Sequence, residues 1–262
     1  MRAVAEGATL DGTARLLALA LVGYLVLVQP VVGSWSQRRF RRAAADPGAR
    51  LRRYHRTAAL EWTLVTAALA LVVAAPGLDL ADVGLRWPRP SAYTVVGAVG
   101  LVLSVALLVG LRRRVDRGAE VLAPAEVSAL MPRTATERRA FAGLAVTAGV
   151  CEEVLYRGVL LAVAVALLPG LTAWRLVAVS ALAFAVVHTY QGVAGMLTSF
   201  VLGGSLAVLY LGSGSLLLPV LYHVLVDLRI LVLAVDRRRA RHRAARDRAA
   251  ATPARRRGAP AG

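Results

Sequence analysis

Residues 151–160 read CEEVLYRGVL, two adjacent glutamates and an arginine inside an apolar run long enough to cross a membrane. A charge near the centre of a bilayer costs several kcal/mol and persists only where it has a partner or a task. The rest of the chain supplies the context. Of its 262 residues, 58% are hydrophobic, and they fall in long runs rather than in amphipathic alternation. That composition belongs to membrane proteins and leaves little chain for a soluble core. The reading is an all-α protein, a polytopic membrane helix bundle.

Allowing about 20 residues per crossing, helices are expected near 14–35, 57–76, 92–111, 141–168, 173–189, 192–211 and 215–235, seven in all. The first run, LLALALVGYLVLVQPVVGSW, is longer than a signal-peptide core and lacks a small-residue cleavage site, so it reads as a retained helix. The chain has 32 basic residues, every one an arginine, and a net charge of +17. The arginines gather in 37–56, in 112–120 and in the tail 236–260, whereas 77–91, 169–172 and 212–214 hold only Arg86 and Arg89. Seven crossings place all three basic blocks on one side, which the positive-inside rule makes cytoplasmic, with the N-terminus out and the C-terminus in. Their expected partners are membrane lipids with anionic headgroups, not nucleic acid. The single cysteine, Cys151, has no internal disulfide partner.

In the second half of the chain the expected crossings contain few ionisable residues. They are Glu152, Glu153 and Arg157 on the fourth helix, His188 at the end of the fifth, and His223, Asp227 and Arg229 on the seventh. A spacing of four puts Glu153 with Arg157, Phe184 with His188, and His223 with Asp227 on shared faces. In a soluble helix EExxxR is an ordinary surface ion pair. In lipid, the same residues point to a shielded cavity among helices four, five and seven. Glu152 lies roughly 14–18 Å into its helix at the usual rise per residue, and His188 is shallower, so the cavity is expected to open toward the cytoplasm. A desolvated carboxylate is a base able to take a proton from water. The imidazoles and the further carboxylate either hold a divalent metal that acidifies this water, or orient it and support an oxyanion without metal. Both versions suit hydrolysis of a peptide bond presented from the membrane.

The segments EEVLYR, FAVVH and HVLVD resemble, in order and on successive helices, the EExxxR, FxxxH and HxxxN or HxxxD motifs of the CAAX-protease and bacteriocin-processing family, also called CPBP or Abi. The resemblance covers roughly residues 136 to 235 and implies a CAAX-protease-like core. It implies Glu152 as the base, His188 as its partner in holding water or a metal, and His223 and Asp227 as ligands or oxyanion support. Glu153 and Arg157 are implied to fix the fourth helix through their own pairing, and Phe184 to pack beneath His188. Members are commonly described as metalloproteases. The resemblance therefore implies a divalent metal such as zinc, with Glu152, His188, His223 and Asp227 as its ligand set. It further implies a membrane-associated, prenylated or leader-type peptide substrate and a multi-pass place in a bacterial plasma membrane. Asp227 stands where the eukaryotic CAAX endopeptidases carry Asn, and relatives often have an eighth helix where this chain turns basic at Asp236.

Three regions are expected: 1–135 with three helices and basic loops, a catalytic core of four helices over 136–235, and a disordered basic tail over 236–262. Thr136 is the expected N-cap of the fourth helix. Cys151 reads as a packing residue, Ser213 and Ser215 as turn residues, and Gly203 and Gly204 as points of close helix approach. Trp35, Trp62, Trp87 and Trp174 read as interfacial anchors. A proton- or ion-relay transporter, or a silent peptide-immunity factor, would employ the same polar residues. The lack of inverted repeats and broken helices weighs against a transporter.

Overall fold

The computed structural model describes residues 10–46, 48–117 and 129–232; the expected tail 236–262 lies outside them. Helix is the regular structure formed by the described residues. Long Leu-, Val- and Ala-rich runs in an apolar layer must satisfy their backbone groups within the segment, and a helix does so. The helices are α1 Gly12–Ala43, α2 Ala49–Ala74, α3 Ala92–Asp116, α4 over 135–167, α5 Ala173–Val187, α6 Gly192–Ser213 and α7 over 217–232. The polytopic helical bundle is thus the observed architecture. Among the described residues, four stretches suffice by length and apolarity alone to cross a membrane: α1, α2, α3 and the α5–α6 stretch Ala173–Ser213.

Two local expectations are corrected. The basic block 37–56 is not a loop, because α1 continues to Ala43 and α2 starts at Ala49 after a turn closed by Gly48 at φ 77°. Arginine is a good helix former, and its long stem carries the charge outward without breaking the helix. Thr134, not Thr136, caps α4: its Oγ1 accepts the Glu137 N–H at 3.1 Å, while Glu137 Oε2 accepts the Thr134 N–H at 3.1 Å. The reciprocal capping box needs Glu three residues on, and position 139 is Arg.

The helix that contains the opening stretch is central. Every residue from 153 to 163 is buried. α2 lies parallel to it, with Arg50 near Glu137 at 3.9 Å, Tyr54 edge-on to Phe141, and the Trp62 indole N–H donating to Thr147 Oγ1 at 3.3 Å. α5 and α6 pack closely against each other because Gly203 has no side chain; a Cβ there would stand 3.2 Å from Phe184 Cβ and 3.3 Å from Ala181 Cα. Gly149 likewise admits α7, whose Val224 would meet an added Cβ at 2.4 Å. Ser213 and Ser215 serve the α6–α7 turn through bonds to Tyr210, Ser215 and Arg86 carbonyls.

Within CEEVLYRGVL the helix widens to a π-turn over Val154–Val159, which the sequence reading did not foresee. The wider turn leaves the Tyr156 carbonyl to accept the Ser180 hydroxyl of α5 at 3.1 Å. Such insertions occur often at functional sites.

Candidate active site

Glu152 and Glu153 leave α4 on different faces, as adjacent helical residues must, and so meet different partners. Glu153 is fully buried, with Oε1 accepting from Arg157 at 2.9 Å and from His223 Nδ1 at 2.7 Å. Arg157, also fully buried, donates to the Gly203 carbonyl at 3.4 Å and lies 4.1 Å from the centre of the Phe184 ring. One guanidinium therefore fastens α4 to α6 and stacks on α5. Glu152 is left outside this network: its Oε2 stands 3.9 Å from His188 Nε2 and 3.8 Å from His223 Nε2, with no protein hydrogen bond. Those gaps are too long for direct hydrogen bonds and suit one shared water molecule.

Both imidazoles are oriented through the other nitrogen. His188 donates Nδ1–H to the Phe184 carbonyl at 2.7 Å, and His223 donates Nδ1–H to Glu153, so each turns Nε2 toward Glu152. His188 occupies the first position of a 3₁₀ turn, His188–Gln191, that joins α5 to α6. Phe184 packs against both rings, at 4.5 Å from His188 and 5.6 Å from His223. Asp227 sits one turn after His223, its Oδ2 4.0 Å from Nε2. Six of the seven residues singled out by charge in lipid thus meet in one cluster, and Arg229 lines a cavity beside it.

Residues 136–229 match the family model described as Type II CAAX prenyl endopeptidase Rce1-like. This segment is similar to the Rce1-like CAAX endopeptidases. It contains Glu152, Glu153, Arg157, His188, His223 and Asp227, while α1, α2 and α3 lie outside it. No curated protein and no solved structure matches the chain. The apolar helices, together with this similarity, make the chain an integral membrane protein.

The two Nε2 atoms and the Glu152 carboxylate have the donor chemistry of a zinc site. Among the described residues, however, no group of three or more His, Cys, Asp or Glu side chains is placed to hold a metal ion. Metal bonds of about 2.0–2.2 Å in a tetrahedron put donor atoms about 3.4 Å apart, closer than the 3.8, 3.9 and 4.0 Å separations of this set. As placed, these side chains are neighbours rather than a ligand shell.

Two cavities reach the cluster, each about 180 Å³, and His188 lines both. One lies between α1 and α2; the other lies between α6 and α7, where Asp227 and Arg229 join Thr198, Leu202 and Ile230. The first also contains Glu61 of α2, which the sequence reading passed over. It is 7% exposed, and its Oε2 has no hydrogen-bond partner. The signal was present, since AALEWTL places a lone carboxylate in an apolar run. A buried carboxylate with an unpaired oxygen is costly. Glu61→Leu is therefore expected to raise the thermal midpoint in detergent by several degrees while lowering peptide turnover, as read by a melting curve and a cleavage assay on the same sample.

Proposed function

We propose that the chain is an intramembrane endopeptidase that cuts a membrane-associated, prenylated or leader-type peptide with water activated by Glu152. The observation that carries this reading is the division of labour between adjacent glutamates. Glu153 is bound by Arg157 and His223, whereas the free Oε2 of Glu152 faces two imidazole nitrogens. A water held among them gives one proton to Glu152 as its oxygen adds to the substrate carbonyl carbon. His223, held through Nδ1–H by Glu153 and lying near Asp227, would stabilise the oxyanion in its protonated form by donating Nε2–H. Collapse of the tetrahedral species breaks the C–N bond, and the proton held by Glu152 passes to the departing amine. Asp227 supports His223 from the next turn.

The proposed topology has seven crossings, with the N-terminus out and the arginine-rich α1–α2 turn in the cytoplasm. The parallel course of α2 and α4 supports it, since both would then run outward. The cavity bearing Arg53 and Arg56 would open on the cytoplasmic side.

Mass spectrometry of membrane peptides from cells making the wild-type protein or Glu152→Ala tests the reading. A cleavage product shared by active cells and missing from the variant is expected; identical peptide sets would refute it. Because the candidate donor atoms stand wider apart than a tetrahedral shell requires, exhaustive chelation is expected to leave peptide cleavage within about twofold of the untreated rate, a change below about 0.4 kcal/mol. A loss that zinc restores would instead make the imidazoles ligands.

A further inference from the structure

Arginines of the α1–α2 hairpin differ in what they meet. Arg50 is buried and bound: it donates to the Ala129 carbonyl at 3.1 Å and the Ala44 carbonyl at 3.3 Å, and lies 3.9 Å from Glu137. A neighbouring pocket of about 200 Å³ between the two helices gathers others that have no acidic partner. Ser36 and Arg39 reach it from α1, and Arg52, Arg53 and Arg56 from α2, each set at the spacing of three or four that defines one helix face. Among the described residues, no acidic side chain lines it, and no carboxylate stands in ion-pair contact with Arg39, Arg53 or Arg56. Arg53 is half-buried, and its guanidinium donates to the Ser36 hydroxyl, which orients the fork and leaves further N–H groups for an acceptor. Arg39 lies over Trp35, 5.6 Å from the ring centre. Like charges gathered at a concave site repel one another until an anion joins them.

The course of α1 past this pocket favours one kind of anion. Val31, Trp35 and Arg39 follow at spacings of four, so one stripe of the helix passes from exposed apolar side chains to a cation. In the topology proposed above, that change falls at the cytoplasmic headgroup level. A phospholipid has the matching order of acyl chain and phosphate, and a guanidinium binds phosphate through paired N–H groups. We propose that the pocket is a defined site for the phosphodiester of an anionic phospholipid, clasped by Arg39, Arg53 and Arg56, with an acyl chain along Trp35 and Val31. The positive-inside rule asks only for charge on one side of the membrane. The pocket adds a fixed place and a single bound lipid. Ser36, Arg53 and Arg56 also line the cavity that reaches Glu152, so the bound headgroup would border the candidate active site. A free phosphate ion offers the same oxygen atoms without the chains, and the test separates the two sources.

The experiment places the full-length protein in detergent micelles with equal amounts of phosphatidylglycerol and phosphatidylcholine, and counts retained lipids by native mass spectrometry. One phosphatidylglycerol per protein is expected, retained about tenfold over phosphatidylcholine. Arg39→Gln with Arg53→Gln should abolish that preference. Arg39→Lys with Arg53→Lys should keep part of it, since the charge remains and the fork is lost. Arg113→Gln with Arg114→Gln removes the same charge from the last turn of α3 and should leave the preference within about twofold of the wild type. Equal retention of the two lipids by the wild type, which needs no variant to fold, would overturn the proposal. So would an equal loss in the α3 pair, which reduces the effect to net charge. Displacement of the lipid by millimolar inorganic phosphate would also overturn it, by assigning the arginines to a free anion.

Discussion

Glu152→Gln is expected to lower the turnover of a peptide substrate by at least about 10³-fold while changing its affinity little. Gln has the size of Glu and keeps a polar side chain in the cavity, but it cannot take a proton from water. The packing does not depend on the carboxylate, because Glu152 Oε2 makes no protein hydrogen bond and lies 3.8–3.9 Å from its neighbours. The variant should therefore remain folded, with a melting curve near that of the wild type. Cleavage of a reporter peptide in proteoliposomes is the measurement, and full activity in the variant would sink the mechanism.

Arg157→Met should produce the largest loss of stability of any single substitution in the site, about 3–5 kcal/mol. The change strands Glu153, fully buried, with the His223 ring as its remaining partner. It also removes the tie to the Gly203 carbonyl and the stack on Phe184. Arg157→Lys should rescue little, since one ammonium cannot serve two acceptors on different helices while lying flat on a ring. Combining Arg157→Met with Glu153→Gln should recover part of the stability, because the lone buried charge is gone. Activity should not return with it, as His223 then loses the carboxylate that turns its Nε2 toward Glu152. Thermal melting in detergent and the cleavage assay, run on the four proteins, separate these outcomes.

Much of this architecture was legible before any coordinates. Apolar runs separated by arginine blocks specify a helical membrane protein, since an unpaired backbone group in lipid is too costly for other folds. The rarity of charge within those runs made Glu152, Glu153, Arg157, His188, His223 and Asp227 stand out, and the structure brings all six together. Helix ends were less legible. A block of arginines between apolar runs reads as a loop because charge interrupts the apolar pattern, whereas those of 37–56 extend α1 and α2. Thr134 and Thr136 look alike in isolation, and only the reciprocal bond with Glu137 selects the first.

The residues 151–160 show the boundary between the two kinds of information. Periodicity in the chain alone established that Glu153 and Arg157 share a face, because a spacing of four is a property of any helix. Only tertiary packing decided what each glutamate meets. His223 is 70 positions from Glu153 along the chain, and its ring reaches Oε1 because Gly149 lets α7 approach α4. Glu61, outside the Rce1-like segment, enters the same cavity as Glu152 because α2 packs parallel to α4. Local sequence sets helix type and facial pattern; which faces meet depends on contacts among distant segments, which the chain acquires only when it packs.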